Sequence, residues 1–397
     1  MADRVEVLVL GAGISGAATA YHLARRRVGP VALFDPRTPA AGATGRAAGI
    51  VTEQLWDRWD VETVRESKAE YAELAAGSDP PAYRENGFVR WTSSPTVAPI
   101  LRAAQERLRS WGVPVESLST SDLSTRLPWL KTEGIQEASW DPHDSVVAPS
   151  TVAEIYVTRA RALGVDCRLG ERFESLRQSP AGWELIAGVT TLHASSLVVA
   201  AGAWSKRVLR SIGSPLPLAP YRTQAAYLRP PGPPPGSFPS FHDVDTDFYV
   251  RPEEAGRVLA GDGTRLVEID PETAPAGGDE EFVTHLAQCI ADRCPDWANS
   301  DLVRAWSGVC ASTPDRRPLV GPVPRADRLY CICGFNGFGV MRAAGAAHRL
   351  VEVIASNGSS RSMEGIAPVR PDRFGPDPQP FQPRPGFTLE GGENPRF

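Results

Sequence analysis

The sequence predicts an α/β fold that opens on a Rossmann-like βαβ unit. Three observations carry this. A buried apolar run ends in a glycine-rich turn at residues 3–16, an acidic residue closes the next apolar strand, and a second strand, glycine turn and small-residue helix recur at 329–354.

In the opening unit, Val5, Val7, Leu8, Val9 and Leu10 form the apolar run of a strand from Asp3 to Leu10, and Gly11-Ala12-Gly13-Ile14-Ser15-Gly16 follows at once. Gly11 permits the tight turn, Gly13 lets the backbone approach a pyrophosphate, and Gly16 lets a helix pack closely on the strand. That helix, read through Arg27, begins at Ile14 and Ser15 with free N–H groups for phosphate. A second strand over 31–34 leads to Asp35 and Pro36, where a carboxylate accepts hydrogen bonds from a ribose diol. The fingerprint is weak alone. Strand, turn, helix, strand and acid in register make it a dinucleotide site.

Beyond it, helical spacing recurs at Val61, Val64, Tyr71 and Leu74, at Val97, Ile100, Leu101, Ala104, Leu108 and Trp111, and around Ile155, Tyr156, Ala160 and Leu163, and predicts core-facing helices. Strand-like patterns occupy 183–186, 190–193, 197–201, 222–228 and 248–259, with a proline-rich loop at 229–239. Leu329 to Cys333 reads as a buried strand running into Gly334-Phe-Asn-Gly337-Phe-Gly339 and a helix through Ile354. From Pro368 onward prolines crowd the chain, and the stretch is expected to be a tail that drapes over the body or stays mobile.

Composition narrows the function. The 397 residues are 42% apolar and 22% charged, with a net charge of −5 that offers no basic field to nucleic acid. No apolar run reaches the roughly 20 residues that cross a bilayer, and the N-terminus lacks a basic secretion start, so a cytoplasmic protein is expected. The six cysteines, at 167, 289, 294, 310, 331 and 333, show no Cys-x-x-Cys spacing, and most read as small buried residues. No Ser/His/Asp order or metal-ligand spacing is present. His143 and His242 fall in loop-like regions, where either a solvated histidine or an acid/base group fits.

Several separated segments together resemble the flavin-dependent amino-acid and amine oxidoreductases that include D-amino acid oxidase, glycine oxidase and sarcosine oxidase. The likeness is greatest on the sarcosine oxidase beta-subunit and dimethylglycine dehydrogenase side. Besides the opening, these segments are Gly42-Ala-Thr-Gly-Arg-Ala-Ala-Gly-Ile50, Leu197-Val-Val-Ala-Ala-Gly-Ala-Trp204, Phe248-Tyr-Val-Arg-Pro252, Thr313-Pro-Asp-Arg-Arg-Pro318-Leu-Val-Gly321 and the C-terminal glycine turn. Arg373-Phe374 is similar to the family's ending.

The resemblance implies a discontinuous Rossmann-like FAD-binding domain (1–80, 146–214 and 307–365), an α+β substrate domain built on a mainly antiparallel sheet (81–145 and 215–306) and a proline-rich tail (366–397). It implies FAD, held by the opening motif, by Thr44, Arg46, Ala47 and Ala48, by Phe173, and by Ala201, Gly202 and Trp204. The reaction it implies is oxidation of a C–N bond of an amino acid or amine, such as sarcosine, dimethylglycine or proline, by hydride transfer to flavin N5.

Gly337, Phe338, Gly339 and Val340 would begin a helix whose N-terminus stabilises the reduced flavin edge; a tight turn needing positive φ explains the same glycines. Arg251, with Tyr249 on the same strand face, is comparable with carboxylate-binding arginines of related oxidases. Met341 stands where sarcosine oxidases place a lysine. Arg342 could substitute for it, or the substrate lacks a small free carboxylate. Cys310, in Gly308-Val-Cys310-Ala-Ser-Thr313, resembles the residue that bonds FAD in monomeric sarcosine oxidases, although a strand-end thiol with non-covalent FAD fits as well. The electron acceptor, whether oxygen, a quinone or a carrier, is open, as is a heteromeric complex. Two rivals stand beside this reading: a noncatalytic flavoprotein subunit of the same fold, and an NAD-dependent dehydrogenase.

Overall fold

A computed structural model describes residues 3–232, 237–262, 268–375, 378–379 and 381. The opening strand Asp3–Leu10 lies between Thr190–Val199 and Val31–Asp35, parallel to both, and Asp166–Leu169 extends the sheet beyond Val31–Asp35. Leu329–Cys333 adds a further parallel strand beside Thr190–Val199 and pairs antiparallel with Leu319–Pro322. On the same sheet the strands Ser175–Ser179, Gly182–Ala187 and Thr190–Val199 form an antiparallel meander.

Strands covered on both faces need apolar side chains on both. Val7 and Val9 accordingly join one core and Leu8 and Leu10 another. Helices Ile14–Arg25, Arg58–Leu74, Pro149–Ala162 and Gly339–Ala355 pack together over the first of these faces. The small residues of the two glycine-led helices allow this closeness. At Gly11, where φ is +108°, an added Cβ would lie 2.4 Å from the Ala200 carbonyl oxygen; one at Gly16 would lie 1.8 Å from the Gly11 oxygen. No side chain larger than hydrogen fits at either position.

A second eight-stranded sheet runs in the order Asp301–Ser312, Ala219–Arg229, Val258–Gly261, Phe248–Pro252, Ser240–Asp243, Phe88–Thr92, Glu137–Asp141 and Glu116–Ser117. All its pairings are antiparallel except that of Ser240–Asp243 with Phe88–Thr92. One face carries Val89, Trp91, Phe241, Phe248 and Val250 against the helix Glu280–Arg293. The opposite face looks toward the first sheet. A small sheet of Ile50–Val51, Ser145–Val147 and Tyr83–Glu85 lies alongside.

Several elements depart from the sequence reading. The run 248–259 is two strands, Phe248–Pro252 and Val258–Gly261, and the runs at 190–193 and 197–201 join in the single strand Thr190–Val199. The helix Glu280–Arg293 was not foreseen; the Asp279 side chain caps it by accepting from the Phe282 N–H at 2.9 Å. The strand Asp301–Ser312 crosses the expected boundary at 306/307 without a break.

The expected tail also starts too early. Ile366 and Val369 are buried against the first sheet's helical core, and Arg373 forks onto Asp315 at 2.8 and 3.0 Å, because two short 3-10 turns give these prolines a regular place. The rest of that stretch, at 376–377, 380 and 382–397, lies outside the described residues, as do 233–236 of the proline-rich loop.

Candidate active site

One cavity of about 1430 Å³ runs from the opening glycine turn, between the two large sheets, to the second sheet's inner face. A single small ligand needs roughly 300–1,000 Å³. This volume has room for a dinucleotide and a second small molecule.

At the dinucleotide end Gly11, Gly13, Ile14, Ser15, Asp35 and Pro36 line the wall. Asp35 is aimed by its backbone: Oδ2 accepts the Ala12 N–H at 2.7 Å and Oδ1 the Arg37 N–H at 2.8 Å, while burial raises its pKa. Thr44 accepts the Ile14 N–H at 3.1 Å and so ties the small-residue segment to the helix start. Gly16 does not reach the cavity; it lies below, where helix meets strand. Arg46 lines the wall, but its guanidinium folds back onto the Ala41 and Gly42 carbonyls. Ala47, Ala48, Phe173, Ala201, Gly202 and Trp204 complete this part. Phe173 meets Phe34 edge-on, and Arg37 lies 4.2 Å over the Trp204 ring.

At the middle, Gly337, Phe338, Gly339, Val340 and Met341 form one wall. The helix there starts at Gly339, has no acidic residue in its first turn and takes no side-chain cap from Phe338, so its N–H groups are left for a ligand. Cys310 lines the cavity on the strand Asp301–Ser312. Burial pushes its thiol up to about 11 although the Tyr221 hydroxyl and the Gly337 N–H oppose the shift, so it stays protonated at neutral pH.

Two expected cations are absent from the wall. Arg251 is only 7% exposed and donates to the Ala48 and Pro252 carbonyls and, at 2.8 Å, to Glu253. It shares a strand face with Tyr249, but nearby carbonyls and a carboxylate capture its fork. Arg342 is 1% exposed and pairs with Asp60, donating also to the Phe335 carbonyl at 2.9 Å. Consecutive helical residues point about 100° apart. With Met341 facing the cavity, Arg342 turns into the helix packing.

His242 corrects another expectation. It belongs to the strand Ser240–Asp243, lines the cavity, and its Nε2 lies 2.7 Å from Asp247 Oδ1. His143 is exposed, 3.4 Å from Glu85, and does not line the cavity.

The sequence reading missed Arg90. Strand register pairs Arg90 with His242, His242 with Tyr249, and Tyr249 with Gly261, which puts the three side chains on one sheet face in one row. Arg90, His242 and Tyr249 all line the cavity. The signal was the alternation Phe88-Val89-Arg90-Trp91, in which a charged residue shares the face opposite two buried apolar ones. Tyr249 is kept neutral by burial, which raises its pKa.

Thr52 also faces the cavity, with its hydroxyl 2.5 Å from buried Asp144, whose other oxygen accepts the Glu53 N–H at 2.9 Å. Lys68 closes this network 3.0 Å from Glu53 and 3.5 Å from Asp144.

A glycine cradle opening on a parallel sheet, joined by one cavity to an antiparallel wall of ligand-facing side chains, defines a dinucleotide-binding protein with a separate small-molecule wall. The chain matches the DAO family of FAD dependent oxidoreductases over residues 6–353 and belongs to that family. It is thus an FAD-dependent oxidoreductase.

Glycine oxidase of Geobacillus kaustophilus is 26% identical over 355 residues, which covers 86% of this chain and 90% of that protein. Mitochondrial dimethylglycine dehydrogenase of Rattus norvegicus is 23% identical across 89% of this chain but only 43% of its own length, so the chain spans less than half of that relative. The fold is also that of L-proline dehydrogenase from P. horikoshii, with a TM-score of 0.84 at 21% identity, covering 94% of this chain and 98% of the other.

The residues present fit FAD. Gly11 leaves no space for a Cβ beside the motif, Asp35 is aimed by two N–H groups, and two helix starts whose N-cap residues, Gly13 and Phe338, lend no side-chain cap face one cavity. No helix among the described residues is long and apolar enough to cross a membrane.

Proposed function

We propose that the protein oxidises the C–N bond of an amino acid, most readily an N-alkyl or cyclic one such as sarcosine, dimethylglycine or proline. The observation that carries this reading is the continuity of one cavity from Asp35, past the helix start at Gly339, to Tyr249 and His242. Bound FAD would supply the hydride acceptor, and the amine that gives up hydride becomes an iminium ion, or an imine once a nitrogen-bound proton also leaves, which water hydrolyses.

The chain's own task is positioning. Gly11, Gly13, Ile14 and Asp35 hold the dinucleotide half, and the N–H groups at Gly339 and Val340 favour negative charge in the middle of the cavity. Met341 and Tyr249, packed with Ile50 and Phe88, make that region apolar and restrict water. Trp56 meets Phe338 edge-on with ring centroids 4.6 Å apart and extends the same wall.

The test is anaerobic mixing of the flavin-loaded protein with sarcosine, dimethylglycine, proline and D-amino acids. Bleaching of the flavin absorbance by at least one supports the reading. A bound flavin that none of these, nor any simple amine, reduces overturns it in favour of a noncatalytic flavoprotein. Repeating turnover in air and then with a dye acceptor separates oxygen from a carrier as oxidant.

A further inference from the structure

The cavity wall carries a histidine with one ring nitrogen held and the other open. His242 lines the cavity from the strand Ser240–Asp243, and 15% of its side chain stays accessible. Its Nε2 lies 2.7 Å from Asp247 Oδ1, and among the described residues Nδ1 has no hydrogen-bond partner. Asp247 ends the hairpin turn that leads from this strand to Phe248–Pro252, at a left-handed φ of +56° that aspartate tolerates better than most residues. Its carboxylate thereby returns to the strand the chain has just left. A carboxylate on one imidazole nitrogen takes the N–H there, leaves the other nitrogen as an acceptor and stabilises the ring once that nitrogen is protonated.

The groups around His242 are committed elsewhere. On the strand Phe88–Thr92 its register partner is Arg90, a cation that donates to the Gln54 carbonyl at 2.8 Å and lies 5.7 Å over the Phe88 ring. On Phe248–Pro252 its partner is Tyr249, whose hydroxyl burial keeps protonated. Thr52 donates to Asp144, Asp245 accepts from Thr92 and Ser93, and burial keeps the Cys310 thiol protonated. Asp262, after the strand Val258–Gly261, adds negative charge near Tyr249. Against the repulsion of Arg90, direct contact with Asp247 favours a proton on the imidazole.

We propose that His242, held by Asp247, is the base that takes the proton from the substrate's ammonium group. This rests on the amine-oxidising reading above and adds a catalytic residue to it. Nitrogen needs a lone pair to form the C=N bond, and an amine with a pKa like that of lysine, about 10.4, is an ammonium ion at neutral pH. The N–H bond breaks and its proton goes to Nδ1. The adjacent C–H bond then breaks, its electron pair leaves with hydrogen as hydride to the flavin, and the nitrogen lone pair closes the iminium.

The experiment is anaerobic reduction of the flavin-loaded protein by its best amine from about pH 6 to about pH 10, in wild type, His242→Asn and Asp247→Asn. We expect His242→Asn to lose about 100-fold or more in reduction rate at neutral pH, the scale of general-base catalysis, and to recover as rising pH deprotonates the amine in solution. Asp247→Asn should lose less, and added imidazole should speed His242→Ala but not wild type. A further readout needs no turnover. 2-Aminoisobutyrate has no hydrogen on the carbon next to nitrogen and cannot be oxidised there. At about pH 8 its binding should move the His242 imidazole signal in the NMR spectrum toward the protonated position.

A His242→Asn profile that superimposes on that of a reducible wild type overturns this proposal and leaves the amine-oxidising reading standing. A loss that neither high pH nor imidazole restores overturns it too, as does an imidazole signal that stays unmoved at saturation with 2-aminoisobutyrate. If His242→Asn does not fold, Asp247→Asn and the wild-type signal still decide. A wild-type flavin that no amine reduces removes the amine-oxidising reading, and this role with it.

Discussion

Tyr249 lies directly over Gly261. A Cβ added at Gly261 would fall 2.2 Å from the Tyr249 hydroxyl oxygen and 2.3 Å from the ring carbon that bears it. The two residues are register partners on adjacent strands, and the missing side chain of one is the space filled by the other. Gly261→Ala should therefore push the Tyr249 ring into the cavity. We expect KM for the best substrate to rise at least about tenfold, corresponding to about 1.4 kcal/mol, with a modest fall in Tm. Unchanged KM in the variant would mean that the ring moves away at no cost to the site.

Asp35 holds its position through two backbone N–H groups and presents the carboxylate to the dinucleotide end. Asp35→Ala removes a charged acceptor, and FAD affinity should drop about 10–100-fold. Fluorescence of released FAD on dilution measures this. Retention equal to wild type would place the ribose contacts elsewhere.

The Arg342–Asp60 pair is buried and holds the helix Gly339–Ala355 against Arg58–Leu74. Arg342→Met strands Asp60, whose pKa burial already raises against the opposing pull of the arginine. Breaking one side of such a pair costs about 3–5 kcal/mol. A large fall in Tm is expected, and the double variant with Asp60→Leu should recover much of it. A single variant as stable as wild type would rule out an anchoring role.

Cys310 has a thiol pushed up to about 11 by burial, which disfavours the thiolate that attacks a flavin. We expect acid precipitation to leave the yellow colour in the supernatant. Colour that pellets with the wild type and is freed in Cys310→Ser would establish a covalent bond.

Asp144 stays protonated in the fold up to about pH 8, mainly by burial, against an ordinary value of 3.8. Between those values the folded chain binds a proton that the unfolded chain has released, so this group's contribution to stability falls as pH rises. Asp144→Asn should show a shallower decline in Tm from pH 4 to pH 8 than wild type. An unchanged decline would mean that Lys68 keeps the carboxylate ionised across that range, as its distance of 3.5 Å allows.

The glycine turn and the acid that closes the second strand were legible in the sequence because their determinants are local. Gly11, Gly13, Gly16 and Asp35 act through the backbone of one βαβ unit, and neighbouring residues suffice to define turn, helix start and strand end. The glycine turn before Gly339 was legible for the same reason. His242 and Arg90 were not. Each sits on a short strand of four or five residues, where alternation is too brief to read with assurance, and each gains its meaning from partners far along the chain.

What the sequence determined by itself was the glycine turn, the class of fold and the family resemblance, since these rest on spacing. Which of three arginines reaches the cavity wall was decided only in three dimensions. Arg251, Arg342 and Arg90 are the same residue type, and the sequence ranked the first two because of their neighbours. Tertiary packing gave Arg251 to Glu253 and Arg342 to Asp60, and placed Arg90 on the cavity wall with Nη1 on the Gln54 carbonyl and no ion pair among the described residues. A guanidinium's availability depends on which acceptors lie within about 3 Å of it, and long-range folding sets that distance.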